Sequence, residues 1–281
     1  MSSVPVVDHA LALREAVSEW RKSGQRIALV PTMGALHQGH VSLARLARAE
    51  ADKVVVSIFV NPTQFAPTED LSKYPRTLEE DLRKLTGLAD LVFAPSVEEM
   101  YPTGDSTRVR VAGPAAVGLE DRFRPTHFEG VATVVAKLFN LAQPDLAIFG
   151  DKDYQQYRVI ERMVQDLHMP LRIVAGATLR EPSGLAMSSR NRYLSAEDRE
   201  HAAILHQTLK SCADGISAGD DLDAVMEAGF AVLSKAHFAV DYFEARDAET
   251  LMPPSGDPTR PLRLLLAAKL GNTRLIDNVA V

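Results

Sequence analysis

Two histidines three residues apart, His37 and His40, close the run Pro31-Thr32-Met33-Gly34-Ala35-Leu36-His37-Gln38-Gly39-His40. An imidazole can be charged or neutral near pH 7, and in either state it can donate a hydrogen bond to a phosphate oxygen. The run follows a β-rich stretch, Arg26 to Val30. It leads into Val41 to Glu50, where Leu43, Leu46 and Ala47 recur at helical spacing. The histidines therefore fall where a strand turns into a helix. In an open α/β sheet that place is the carboxyl edge, where ligands bind. The helix N-terminus adds free N–H groups and a positive dipole end for an anion. Gly34 and Gly39 let backbone come close to such a ligand. Either histidine alone would suit an exposed turn; the pair, after a strand and a Pro-Thr-Met-Gly turn, points to phosphate. A zinc pair is the weaker rival, because no Cys or HExxH partner stands near.

Other polar residues fall at the ends of other expected strands. The apolar run Lys53 to Val60 stops at Asn61-Pro62-Thr63-Gln64-Phe65, and Asn-Pro marks a turn. Amides such as Asn61 and Gln64 hold a ligand by directional hydrogen bonds without adding charge. The strand Asp145 to Phe149 ends in Gly150-Asp151-Lys152-Asp153-Tyr154-Gln155-Gln156. Lys152 could meet phosphates as a point charge, and Asp151 or Asp153 could hold Mg²⁺ with ATP oxygens supplying the other ligands. A solvated charged loop is the alternative. Glu79, Glu80 and Asp81 open a helix with Leu78, Leu82 and Leu85 on one face. Complementing the helix dipole explains these acids; a magnesium ligand, Asp81, is the sharper alternative. Arg122, Arg124 and His127 gather before a further helix, a basic cluster that suits an anion, and Met187-Ser188-Ser189-Arg190 forms a hydroxyl-rich loop ending in a fixed cation, a suitable flap for triphosphate.

These residues need a framework. The 281 residues suggest one large or two modest domains. With 46% hydrophobic and 24% charged residues, a soluble globular protein is expected. The net charge of −6 disfavours nucleic acid and acidic membranes as partners, so an anionic substrate needs a local cationic cluster. The single cysteine, Cys212, excludes an intramolecular disulfide and fits a reducing compartment; it sits in a helical pattern with Leu205, Leu209 and Ile216, which suits core packing. No apolar leader or run of about 18 apolar residues is found, so a cytoplasmic location is expected. Strands at 26–30, 53–60, 91–94, 145–149 and 171–177 alternate with helices, which spells βαβ units and a parallel sheet. After that come one long helix from Ser195 to about 216, a second from 220 to 237, and strands at 238–246, 261–268 and 273–279. The expected fold is α/β: a Rossmann-like nucleotide-binding domain over 1–178 and a smaller α+β domain over 179–281. The loop 179–192 would span the cleft between them.

Taken together, PTMGALHQGH (31–40), SIFVNPTQF (57–65), YPRT (74–77), RPTHFEGVATVV (124–135), FGDKDYQQ (149–156), LAMSSRNRYL (185–194) and TRLIDN (273–278) resemble the pantoate–β-alanine ligase family. The likeness covers nearly the whole chain in the same order. It implies membership of the nucleotidyltransferase superfamily, with His37 and His40 as its His-x-Gly-His motif and Met187 to Arg190 as the counterpart of its KMSKS loop. It also implies a homodimer that joins pantoate to β-alanine with ATP and Mg²⁺ through pantoyl adenylate, releasing AMP and pyrophosphate. The substrates supply both nucleophiles, so catalysis would rest on positioning and charge stabilisation. His37, His40, Lys152 and Arg190 are the expected stabilisers, with His40 as proton donor or phosphate contact. Met33 to His40, Gly150 to Asp153, Leu179 and Met187 to Arg190 would frame ATP. Gln64 and Gln156 would hold pantoate, and Gln64 would border β-alanine. Three positions depart from the family's usual residues: Asp151 for Glu, Thr126 for Gly, and Asn272 for Lys. Another nucleotidylyltransferase, or a nucleotide-binding module without catalysis, is the competing reading. Gln64 and Gln156 argue against the first; His40, Lys152 and Arg190 argue against the second.

Overall fold

Residues 4–66, 69, 71–257 and 259–281 are described by a computed structural model. The first sheet holds six parallel strands: β1 (Val6–Val7), β2 (Ile27–Thr32), β3 (Lys53–Ile58), β4 (Leu91–Phe93), β5 (Leu146–Gly150) and β6 (Arg172–Gly176). Their order is β1-β4-β3-β2-β5-β6. Between them run α1 (Ala10–Lys22), α2 (Gln38–Glu50), α3 (Leu78–Leu85), α4 (Val97–Met100), α5 (Glu120–Phe123), α6 (His127–Ala142) and α7 (Tyr154–Asp166). The inner strands β2, β3, β4 and β5 are largely apolar because both their faces are covered. On β2, Ile27 and Leu29 enter one core with residues of α1, α6 and α7, while Ala28 and Val30 enter another with residues of α2. On β5, Ala147 and Phe149 join the first core, and Leu146 and Ile148 the second.

From β2 the chain winds outward to β3 and β4, then returns to build β5 and β6 on the other side. The direction of winding thus reverses between β2 and β5. At such a switch point the loops diverge and leave a crevice beyond the strand ends. The loop carrying both histidines and the loop carrying Lys152 flank that crevice.

The chain then forms α8 (Ala196–His201), α9 (Ile204–Ala218) and α10 (Leu222–Lys235), followed by β7 (Ala239–Asp247), β8 (Leu262–Leu270) and β9 (Thr273–Ala280) in an antiparallel three-stranded sheet. Leu264, Leu266 and Ala268 of β8 pack with Leu205, Leu209, Cys212 and Leu233. Leu265 and Ala267 point the other way, onto Leu119, Tyr242 and Leu251. Cys212 is buried, in the core position expected of it.

Two details differ from the sequence reading. β1 was not anticipated: two residues cannot show a period, and Val6 and Val7 are strand only because they pair with Val92 and Phe93. The long helix expected from Ser195 is two helices. The backbone tightens at Ala202 and Ala203, where Leu205 N–H bonds the carbonyl of Ala202 and Ala203 N–H that of Glu200. Both alanines are buried, so packing sets the break.

Candidate active site

The histidine loop is held from three sides. Thr32 Oγ1 donates to the Ser57 carbonyl at 2.7 Å, tying the end of β2 to β3. Asp81 at the start of α3 is fully buried and accepts the N–H groups of Ala35 (2.9 Å) and Leu36 (2.8 Å). Lys84 Nζ, one helical turn on, donates to the Leu36 carbonyl at 2.6 Å. Ala35 adopts φ +50°, a strained conformation for a residue with a Cβ. Such strain persists because Asp81 and Lys84 over-determine the loop. Both Asp81 oxygens thus accept backbone N–H groups, and Thr77 Oγ1 adds a third bond, so the expected alternative of a magnesium ligand at Asp81 stands beside a clear structural role.

His37 is the N-cap of α2. Its Nδ1 accepts the Gly39 N–H at 3.1 Å, and His40 Nδ1 accepts the His37 N–H at 3.3 Å. A Cβ at position 39 would stand 2.8 Å from the His37 ring, so only glycine allows that ring to fold back over the helix end. The two ring centroids lie 4.1 Å apart. Burial, followed by the Lys152 charge, lowers the His37 pKa to about 4. Burial, followed by His37 and then Lys152, lowers that of His40 to about 3. Both rings are therefore neutral at pH 7. With each Nδ1 accepting, the ring hydrogen must sit on Nε2. The N-terminus of α2 thus presents two fixed N–H donors in addition to its own free backbone groups.

One cleft brings together most of the expected residues: Met33, His37, Gly39, His40, Gln64, Gly150, Lys152, Asp153, Gln156, Leu179, Met187, Ser188, Ser189 and Arg190 all line it. Gln64 closes a short 3₁₀ turn, Pro62–Gln64, whose N-cap Asn61 accepts the Thr63 N–H. Its amide is oriented by Asn61 Nδ2 at 3.1 Å and by the Met33 sulfur at 3.0 Å. Gln156 faces the cleft, whereas its neighbour Gln155 is buried and bonded to Glu120 N, Pro114 O and Asp121. Ser189 Oγ lies 3.3 Å from Tyr74 Oη, so the flap touches the wall opposite.

Other expected residues stand behind the cleft wall. Gly34, Ala35 and Leu36 are buried in the loop, and Gln38 points to solvent. Asp151 uses one oxygen on Thr178 Oγ1 (2.7 Å) and the other on Arg263 Nη2 (2.9 Å). Asp153 is the one carboxylate lining this cleft among the described residues, 3.8 Å from Lys152 Nζ. Magnesium is commonly held by one or two carboxylates plus substrate phosphates. Asp153 fits that role, and no cluster of three or more acid, His or Cys ligands exists among the described residues.

The cleft also contains an apolar wall that carried no expected role, and the expected anion-binding pair Arg124 and His127, which instead meet backbone. Val131, Val134, Val135 and Leu138 of α6 form an apolar wall with Phe59 and Phe149. The signal was present in α6 itself, which is apolar on nearly every face, as a fully enclosed helix must be. His127 donates from Nδ1 to the Gln64 carbonyl at 2.9 Å, and Arg124 Nη2 donates to the same oxygen at 3.2 Å. Arg124 Nη1 donates toward His127 Nε2, which places the ring hydrogen on Nδ1. Burial, helped by the Arg124 charge, lowers the His127 pKa to about 4.

An anion-receiving crevice at the reversal point of a parallel sheet defines a nucleotide-binding α/β protein. A family model described as Pantoate-beta-alanine ligase matches residues 5–280. A pantothenate synthetase from Bradyrhizobium sp. strain BTAi1 is 55% identical over 283 residues, covering 100% of both chains. The crystal structure of pantothenate synthetase from Thermus thermophilus aligns with TM-score 0.93 and 45% identity over 98% of this chain and 99% of that one. The pantoate-beta-alanine ligase from Francisella tularensis, solved with beta-gamma ATP and beta-alanine, aligns with TM-score 0.81 and 33% identity over 99% and 98%. The chain belongs to the pantoate-β-alanine ligase family.

Proposed function

We propose that this enzyme condenses pantoate with β-alanine at the expense of ATP, through pantoyl adenylate. The observation that carries the reading is the pair of Nε2–H donors at the start of α2, beside Lys152, in a cleft that also holds the amides of Gln64 and Gln156. In the first step a pantoate carboxylate oxygen attacks the α-phosphorus of ATP. The bond to the bridging oxygen breaks and pyrophosphate leaves. In the second step the amine of β-alanine attacks the acyl carbon, a C–N bond forms, the acyl–oxygen bond breaks, and AMP leaves. The amine proton goes to solvent.

Charge grows on the phosphates in the first step, and fixed donors aimed at it lower the barrier. His37 and His40 supply N–H groups, Lys152 supplies an ammonium, and Arg190 on the flap supplies a guanidinium. Burial holds His40 neutral in the free protein, so its Nε2–H is placed to donate a hydrogen bond to phosphate. Gln64 and Gln156 orient pantoate, and the apolar wall of α6 receives its carbon skeleton. Gln64 also borders the place of the incoming amine. Met33, the buried turn 34–36, Gly150 and Leu179 frame the nucleotide by shape and backbone. Magnesium, when bound with ATP, would neutralise phosphate charge, with Asp153 as its protein carboxylate. A division at 178/179 makes the loop 179–192 the flap of the cleft. A homodimer is the form carried over from the family likeness. A cytoplasmic location suits the lone buried Cys212; no described helix is long and apolar enough to cross a membrane.

The test is AMP release from ATP, Mg²⁺ and D-pantoate, with and without β-alanine. Sustained AMP is expected only when all are present. Consumption of ATP without pantoate, or no AMP at all, would remove the substrate assignment and the roles of Gln64 and Gln156.

A further inference from the structure

The run Thr273-Arg274-Leu275-Ile276-Asp277-Asn278 forms most of β9. Its polar side chains leave their own sheet. Arg274 meets Glu120 (Nη2 to Oε1, 2.7 Å), and Asp277 receives both terminal nitrogens of Arg180 at 2.6 and 3.0 Å. Asn278, 3% exposed, reaches the loop after β5. Its Nδ2 donates to the carbonyls of Asp151 (3.0 Å) and Lys152 (2.8 Å). Its Oδ1 accepts from Arg263 Nε at 2.6 Å. Arg263 also bonds Asp151 Oδ2 and lies 4.2 Å from the centroid of the Tyr154 ring. The 3₁₀ turn Asp151–Asp153 has no side-chain N-cap of its own.

A carboxamide is planar, so its two hydrogens and its oxygen point in fixed directions. Arg263 sets the plane of Asn278, and Asn278 then fixes two successive peptide carbonyls. The backbone from which Lys152 reaches the cleft is thereby located by a strand of the other sheet. We infer that Asn278 is a positioning residue for Lys152, acting through that backbone without touching substrate. The inference rests on the reading of Lys152 as a phosphate contact. Supporting residues of this kind matter because a displacement of about 1 Å at a reacting group can cost about 100-fold in rate.

A double-mutant cycle of Asn278→Asp with Lys152→Ala tests it. Aspartate keeps the size of the side chain and turns both donors into acceptors facing carbonyl oxygens. The single Asn278→Asp variant should lose about 10- to 100-fold in kcat, with KM for pantoate and β-alanine unchanged. Its pyrophosphate release should be slow, while amide formation from added pantoyl adenylate should keep its normal rate. The double variant should be no slower than Lys152→Ala alone. Losses that multiply, or an unchanged kcat in Asn278→Asp, would overturn the inference and leave the function intact. Full turnover in Lys152→Ala would instead overturn the phosphate role of Lys152, and the inference with it. If Asn278→Asp melts below the assay temperature, Arg263→Lys enters the same cycle: it keeps the charge but loses the Nε–H that orients Asn278.

Discussion

Three side chains at the site are neutral where free imidazole would titrate, and that has two consequences at the scale of the residue. The first concerns stability. His37, His40 and His127 are lowered to about 4, 3 and 4, chiefly by burial, against about 6.5 in an unfolded chain. As pH falls from about 6.5 to about 4, the unfolded chain takes up protons that the native site refuses. Their stabilisation is therefore complete above about pH 6.5 and is lost through that window. Lowered carboxylates such as Glu120 and Glu69 act only at more acid pH. The denaturant midpoint should fall clearly between pH 7.5 and 5, and His127→Gln should flatten that fall. Equal midpoints would show that the native rings accept protons freely. The second consequence concerns rate. On the proposed mechanism a neutral His40 donates Nε2–H to phosphate, and His40→Ala should then cut kcat by about 100-fold or more. A folded His40→Ala enzyme with near-normal turnover would take His40 out of the mechanism. Gln156 makes a narrower prediction. Losing its hydrogen bonds to pantoate should raise the KM for pantoate by roughly tenfold, about 1.4 kcal/mol. If ATP use suffered and pantoate use did not, Gln156 would belong to the nucleotide end.

At the scale of the element, the site depends on helices that do not touch substrate with their own termini. Helix α3 grips the histidine loop through Asp81 and Lys84, so the start of α2 is held by side chains from a neighbouring βα unit. Asp81→Ala would leave two buried N–H groups unsatisfied, at about 1–3 kcal/mol each. It should lower the melting temperature and the activity together, and added magnesium should not restore either. Recovery at high magnesium would instead favour Asp81 as a metal ligand. Helix α6 meets the Gln64 turn at Gly130, where an added Cβ would stand 2.4 Å from the Thr63 carbonyl oxygen. Backbone cannot yield there without moving Gln64. Gly130→Ala should therefore destabilise by about 1–3 kcal/mol and raise the KM for pantoate. A variant that melts normally would show that α6 can slide.

Across the whole molecule, the two sheets are joined by more than the chain that connects them. Arg263 to Asp151, Arg274 to Glu120 and Tyr154 Oη to the Ala248 carbonyl all cross between residues before 178 and the β7–β9 sheet with its loops. A wholesale rotation of the β7–β9 sheet would break several of these at once. The segment that meets the cleft from the other side is the flap, fastened at Ser189 to Tyr74. Addition of ATP and pantoate should therefore slow amide exchange in residues 179–192 far more than in β7, β8 or β9. Comparable protection spread over that sheet would favour movement of the entire C-terminal unit.

How much of this was legible in the chain follows from the range of the forces involved. Continuous apolar runs at Lys53 to Val60 and Asp145 to Phe149 announced strands buried on both sides, because a doubly covered strand leaves no face for polar residues. The histidines, Lys152, Gln64 and Gln156 could be placed at strand ends because glycine, proline and amide residues punctuate the chain locally. The pairing of Val6 and Val7 with β4 had no such signal, being decided by residues more than 80 positions away. The three acids Asp81, Asp151 and Asp153 look alike as sequence, yet one clamps a loop, one ties two sheets, and one faces the cleft. Likewise Gln155 and Gln156 are neighbours with opposite fates, since successive residues on a helix point about 100° apart and only the packing of α7 selects which meets the crevice. Thus the sequence alone determined the alternation of elements, the family, and the chemical groups available for phosphate. The tertiary structure decided the protonation of the histidines, the identity of the acid in the cleft, and the dependence of Lys152 on Asn278. Each of these turns on burial or on a contact between segments far apart in the chain, which local residue patterns cannot encode.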